Sequence, residues 1–154
     1  MRRPPADLLA YICLTLLGLY AAAESLAPHH GLTEAGCRVG FVYDGDTVEL
    51  LCGTQTQTAR LVGFDTPETR QPGCAAEAAL GLRAKLRLGD LVAQRQGQGQ
   101  GDILLDHRGY DKYGRRLVAM QVGGRDVAEV MIAEGLAVAY SGEARIDWCA
   151  RLAQ

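Results

Sequence analysis

"FVYDGDTVEL" (Phe41–Leu50) sets β-prone apolar residues on both sides of an Asp-Gly pair. That is the pattern of a β-hairpin, with Asp44 and Gly45 as the two turn residues. Strand 1 is expected over 37–43 and strand 2 over 46–52. A two-residue turn here also sets Cys37 opposite Cys52, at a separation a disulfide can bridge. One feature exceeds the needs of a turn. A second carboxylate, Asp46, stands just past the glycine, at the mouth of strand 2.

Downstream, "GTQTQ" reads as a turn and "TARLVGF" (58–64) as a third strand. "DTPETRQPGC" is a loop with helix-start character. "AAEAALGLRAKLRLGDLVA" (75–93) is a helix, with Ala76, Ala79, Leu80, Leu82 and Leu86 expected on its apolar face. Arg83, Lys85 and Arg87 are read as a solvated face. The Gly/Gln tract "QRQGQGQG" is a loop. "DILLD" (102–106) and "RLVAMQV" (116–122) bring the strands to five, joined by a tight "HRGYDKYGR" connection. Gly123-Gly124 turns the chain into "DVAEVMIAEG", with Asp126 as N-cap, and a short tail adds a helical turn or two. Five short strands interrupted by a helix after the third is the order of an OB-fold, an α+β architecture built on a five-stranded β-barrel. The order is compatible with nucleic-acid binding and does not by itself establish it.

The 154 residues suit one domain with a modest core. Residues 36–154 are assigned to it, 24–35 to a linker and 1–23 to an N-terminal targeting segment. Arg2 and Arg3 precede the apolar run "LLAYICLTLLGLYAAA" (Leu8–Ala23), which closes on small residues. That describes a secretory signal peptide, or an uncleaved signal anchor of slightly short length. Either reading exports the domain to the periplasm or beyond, with a membrane contact only through this segment if it stays uncleaved.

The net charge of −2 lacks the overall signature of a nucleic-acid binder. All basic residues except Lys85 and Lys112 are arginine, the better fork for phosphate oxygens. A local basic site in an acidic protein therefore stays open. The exported part holds four cysteines, Cys37, Cys52, Cys74 and Cys149. In an oxidising compartment they are expected to pair. With Cys37 and Cys52 opposed at the hairpin, Cys74–Cys149 follows by elimination. Buried free thiols are the alternative.

A hairpin turn centred between Gln55 and Thr56 would set Asp46 opposite Asp65. Two adjacent carboxylates repel unless compensated, and a hard cation such as Ca²⁺ is a natural compensator. "RLVGFDTPE" adds Arg60 and Glu68. Its bland reading is a helix start, with Thr66 as cap, Pro67 at N1 and Glu68 at the positive dipole end. Strict alternation puts Arg60 and Asp65 on opposite faces, so a bend or bulge near Gly63 is required to bring them together.

"DGDTVEL", "RLVGFDTPE" and "DKYGRRL", in this order and at these separations, closely resemble the staphylococcal (micrococcal) nuclease family, the thermonucleases. The likeness runs from about Cys37 to Tyr140. It implies an OB barrel with helices and Ca²⁺ as cofactor. It implies Asp46 and Asp65 as calcium carboxylates and the Thr66 backbone carbonyl as a further ligand. Arg60, Glu68 and Arg115 match the catalytic trio, and Lys112 and Tyr113 match residues flanking the terminal phosphate of the substrate. The implied activity is phosphodiester hydrolysis in DNA, with RNA as a further candidate. Single-stranded or frayed regions are expected to be preferred, because the phosphate must enter a narrow site at the barrel mouth, and a monomer is expected. The competing reading is a non-catalytic OB-fold module for nucleic-acid binding or interaction, which would be expected to lack some of these residues. All are present.

The chain departs from the family in its short tail, its negative charge and a longer interval between Glu68 and Arg115. An acidic surface is expected to weaken nucleic-acid binding at physiological salt. Other candidates have blander readings. Asp44 is read as a turn residue, His107 as surface and Trp148 as packing. Tyr140 is read as either a base-stacking residue or core.

Overall fold

The structure, a computed structural model, describes residues 15–16, 36–94 and 103–154. The chain divides into two units, Met1–His30 and Gly31–Gln154. The targeting segment and linker expected over 1–35 lie outside the described residues, except for Thr15 and Leu16, which are helical. Most of the Gly/Gln tract lies outside them too. Among the described residues no helix is long and apolar enough to cross a membrane. The second unit carries the sheet and the candidate site.

The first hairpin joins β1 (Cys37–Val42) to β2 (Thr47–Cys52). Cys37 pairs with Cys52 and Val39 with Leu50, but the register shifts before Val42 reaches Val48. The shift falls between Val39 and Val42, a stretch that includes Gly40, where a Cβ would lie 2.4 Å from a Glu49 carboxylate oxygen. The tip is wider than a two-residue turn. The Thr47 carbonyl accepts from the Tyr43 N–H at 2.9 Å, and Asp44 Oδ1 accepts from the Asp46 N–H at 3.2 Å. Gly45 does not adopt a positive φ. It is needed for space instead: a Cβ there would stand 2.7 Å from Ala84 Cβ and 2.8 Å from Thr66 Cγ2.

β3 (Gln55–Leu61) pairs with β2 around a turn at Gly53-Thr54, with Cys52 opposite Gln55 and Thr47 opposite Arg60. This corrects the register expected from a turn at Gln55/Thr56, so Asp46 does not meet Asp65 as a strand pair. The two acids meet by another route. β3 stops at Leu61, whose N–H donates to the Asp46 carbonyl at 2.7 Å. The chain bends at Gly63, φ 92°, a conformation that favours glycine. It then leaves as β4 (Gly63–Asp65), which pairs with β8 (Val138–Tyr140). The bend required between Arg60 and Asp65 is therefore present.

β5 (Ile103–Tyr110) and β6 (Arg116–Val122) form the second large hairpin. β5 runs past the expected 102–106 into "HRGY", with a register irregularity between His107 and Gly109. β6 pairs in parallel with β3, giving the order β1-β2-β3-β6-β5. This is an α+β fold with OB-like strand order. The sheet is not closed into a barrel by any pairing among the described residues. The short β7 (Arg125–Asp126) lies beside β6 and leads into α2 (Val127–Ala133), capped by the Asp126 side chain.

α1 (Ala75–Ala93) has the expected bounds but a different buried face. Glu77, Gly81, Ala84, Leu88, Leu91 and Val92 are buried, while Leu82 and Leu86 are 53% and 59% exposed. The buried set follows helical spacing as well as the expected one did. It wins because small residues at 81 and 84 let the backbone of two site loops approach. Val48, Leu50, Leu61, Phe64, Leu88, Val118 and Met131 form the centre of the core. α3 (Trp148–Leu152) ends the chain, with Trp148 buried. Disulfides join Cys37 to Cys52 and Cys74 to Cys149.

Candidate active site

Asp46 leaves the hairpin tip into β2, Arg60 stands near the end of β3, and Asp65 ends β4. Arg60 ties them together. Its Nη1 lies 2.8 Å from Asp46 Oδ1 and its Nη2 2.8 Å from Asp65 Oδ1. Both carboxylates are buried, at 2% and 1% exposure. Asp46 also accepts from the Thr47 hydroxyl at 3.0 Å and from the Thr66 N–H at 3.1 Å. Burial pushes the Asp46 carboxyl well above the usual carboxylate range. Arg60 opposes this, Asp44 adds to it, the Thr66 N–H opposes it and Asp65 adds again. A second positive charge close by would relieve it.

The loop after β4 is held from below. Gly81 of α1 sits where a Cβ would come within 2.9 Å of the Pro67 and Glu68 carbonyls. Buried Glu77 accepts from the N–H groups of Glu68 at 3.2 Å and Gly73 at 2.6 Å. These contacts fix the backbone that presents the Thr66 carbonyl and the Glu68 side chain.

The opposite wall is the turn 111–115 between β5 and β6. Asp111 Oδ1 accepts from the N–H groups of Tyr113 and Arg115, each at 2.9 Å. Its Oδ2 takes the Arg115 Nε–H at 2.7 Å. Burial alone would raise Asp111. The hydrogen bonds from Arg115 and Tyr113 outweigh it and hold the carboxyl below its ordinary value. Gly114, φ 77°, closes the turn. Lys112 and Arg115 both lie over the Tyr113 ring, at 5.1 and 5.7 Å from its centroid.

A cleft of about 690 Å³ runs between the walls. Arg60, Arg70, Lys112, Arg115 and Arg145 line it, against the carboxylates of Asp44 and Glu68. The side chains that line it are cationic in excess although the chain as a whole is negative, and Asp46, Asp65 and Asp111 beneath them balance that charge. Arg60, Glu68, Arg115, Lys112 and Tyr113 thus share one cleft, with Asp46 and Asp65 reached through Arg60. Tyr140 also lines it, its ring centroid 5.8 Å from the Arg60 guanidinium carbon. Cys74 and Cys149 lie behind the site, near Glu77.

Besides Arg70, which lines the cleft, sequence reasoning missed four residues. Glu77 and Asp111 position backbone, a role that leaves no spacing signal. Trp148, read as packing, also donates its indole N–H to Asp65 Oδ2 at 3.1 Å. Arg145 was not singled out. Its Nε lies 2.7 Å from Asp65 Oδ1, its Nη2 donates to the Thr66 carbonyl at 3.0 Å, and its Nη1 pairs with Glu68.

Two buried carboxylates and a backbone carbonyl, linked through Asp65 by Arg60 on one side and Arg145 on the other, are a set of hard oxygen donors, and suit Ca²⁺. Among the described residues, the one compact group of three acidic or sulfur ligands is Cys74, Glu77 and Cys149. Its sulfurs are spent in a disulfide and offer no thiolate. Of these two groups, the Asp46–Asp65–Thr66 oxygens are the ones that could hold a hard cation.

An OB-ordered sheet bearing an arginine-lined cleft over buried acids defines an OB-fold domain with a polar, cation-lined cleft. Residues 58–148 match the model of the staphylococcal nuclease homologue family, and the chain belongs to that family. Asp46 lies before the matched stretch. The chain is 34% identical over 108 residues to Protein ParB of Escherichia coli, covering 64% of this chain and 54% of that protein. It is 39% identical over 98 residues to Endonuclease YncB of Bacillus subtilis (63% and 44%) and 32% identical over 108 residues to the Micrococcal nuclease of Shigella flexneri (64% and 55%). The chain spans about half the length of the curated relatives it matches.

Proposed function

We propose that this protein is a calcium-dependent nuclease that hydrolyses phosphodiester bonds of DNA and, as a second substrate, RNA. The observation that carries the reading is the Arg60 fork between buried Asp46 and Asp65, in one cleft with Glu68 and Arg115. A phosphodiester entering the cleft meets cations on both walls. Arg60 and Arg115 neutralise the phosphoryl oxygens as charge builds on them in the transition state. Glu68 accepts the proton of the attacking water as general base. Asp46, Asp65 and the Thr66 carbonyl would hold Ca²⁺, which supplies Lewis-acid polarisation of a phosphoryl oxygen when bound. Lys112 and Tyr113 sit at the tip of the turn, where a terminal phosphate can be met.

The substrate phosphate would have to enter the cleft between the Glu68 loop and the 111–115 turn, and on this reading the protein acts as a monomer on single-stranded or frayed regions. The N-terminal segment would export the domain, and two disulfides suit an oxidising compartment. The test is release of acid-soluble nucleotides from denatured DNA by the oxidised protein, in Ca²⁺ and in EDTA. Release in Ca²⁺ alone is expected. No release in either, with retained binding to single-stranded DNA, would favour a non-catalytic OB-fold binding module.

A further inference from the structure

Arg145 makes the contacts expected of a bound cation. One guanidinium reaches a carboxylate oxygen of Asp65, the backbone carbonyl of Thr66 and the carboxylate of Glu68. The first two belong to the oxygen set proposed above for Ca²⁺, and the third is the proposed base. Arg60 also holds two of the proposed ligands, Asp46 and Asp65, but reaches neither the Thr66 carbonyl nor Glu68, so among the described residues Arg145 is the cation that covers that carbonyl and the base together.

The segment that carries Arg145 is fastened at both ends. On one side the Tyr140 hydroxyl donates to the Glu143 carbonyl at 2.7 Å, and the Ser141 hydroxyl and N–H donate to the Glu143 side chain. On the other side Trp148 is bonded to Asp65 and Cys149 is bonded to Cys74. Arg145 itself keeps 38% of its side chain exposed. It therefore has an open path to swing off the oxygens while its anchors stay in place.

Resting on the calcium reading above, we propose that Arg145 sets the cation affinity of this site: its guanidinium occupies the ligand oxygens in the metal-free protein, and Ca²⁺ must displace it to bind. The two cations are mutually exclusive because both need Asp65 and the Thr66 carbonyl. Binding is then weakened according to the fraction of molecules in which Arg145 is released. The same exchange frees Glu68 to meet water, so cation loading and release of the base occur together.

The test is calcium titration by calorimetry on the oxidised full-length protein without nucleic acid. Wild type is compared with Arg145→Gln, Arg145→Lys and the surface charge control Arg151→Gln. A latch closed in ~90% of molecules weakens binding about tenfold, so Arg145→Gln should bind Ca²⁺ about tenfold tighter. Arg145→Lys should fall between, since one ammonium cannot span three oxygens. Arg151→Gln should stay near wild type. The metal-free Arg145→Gln protein should also melt lower and gain more from Ca²⁺. If Arg145→Gln proves too unstable to titrate, Arg145→Lys decides by the same criterion. Affinity unchanged or weakened on removing Arg145, or equally tightened in Arg151→Gln, overturns the proposal and leaves the calcium site standing. No calcium binding in any of the proteins overturns both.

Discussion

The indole N–H of Trp148 donates to Oδ2 of Asp65 at 3.1 Å, across 83 residues of chain. The last helix is thereby tied to the floor of the cleft. Trp148→Phe keeps most of the packing and removes the donor. Hydrogen bonds to charged groups are worth about 1.5–3 kcal/mol, and a loss in that range is expected in urea unfolding of the metal-free protein. A change below experimental error would mean that the contact does not hold Asp65.

Two glycines of α1 should respond in opposite directions to the same substitution. At Gly89 no atom lies within 4 Å of the place a Cβ would take, so Gly89→Ala should stabilise by about 0.5–1 kcal/mol through helix propensity. Gly81→Ala would push against the Pro67 and Glu68 carbonyls. Overpacking of this kind costs about 1–3 kcal/mol, and moving the Glu68 loop should also lower activity. Thermal unfolding of the pair, with wild type, checks both signs.

The parts of this design differ in how far they could be read from sequence. The 75–93 helix and the Asp126 cap follow from local pattern, and the Cys37–Cys52 register survives because the shift between Val39 and Val42 lies nearer the tip. The β2–β3 register does not, since "GTQTQT" has no hydrophobic phase to fix it. Asp46 and Asp65 still converge, because the bend at Gly63 does the work assigned to strand pairing. The buried face of α1 is ambiguous in a segment with leucines on several sides, and is decided by close backbone approach at Gly81 and Ala84. Arg145 and Trp148 come from the far end of the chain, and only the tertiary fold shows what they touch.

Asp111 gives a pH dependence of definite sign. Its folded value is lowered, so it adds stability that is fully present above the ordinary carboxylate value of about 4. That stability is lost as pH falls through the lower folded value. The pair with Arg115 is partly exposed, which limits the effect to roughly 1 kcal/mol or less. Asp111→Asn should be less stable than wild type at neutral pH and approach it below pH ~3. Parallel curves for the two proteins over that range would rule out this role.

The two cleft arginines should separate in their effects. Arg115 is bonded to Asp111 and partly exposed, so Arg115→Ala should lower cleavage by ~10²–10³ with little loss of fold. Arg60 lies between two buried carboxylates. Removing it should cost a similar factor in rate and also about 3–5 kcal/mol in the metal-free protein, part of which Ca²⁺ restores. Matched rate and denaturation measurements on both variants test the distinction.

The assignment of Glu68 as general base rests on one comparison. Single-turnover cleavage of denatured DNA at saturating Ca²⁺ should be measured for wild type and Glu68→Gln, with calcium binding and melting temperature recorded for each. The expected result is a rate loss of ~10²–10⁴ with the fold and the calcium affinity largely retained. A Glu68→Gln protein that cleaves at near wild-type rate would contradict the mechanism.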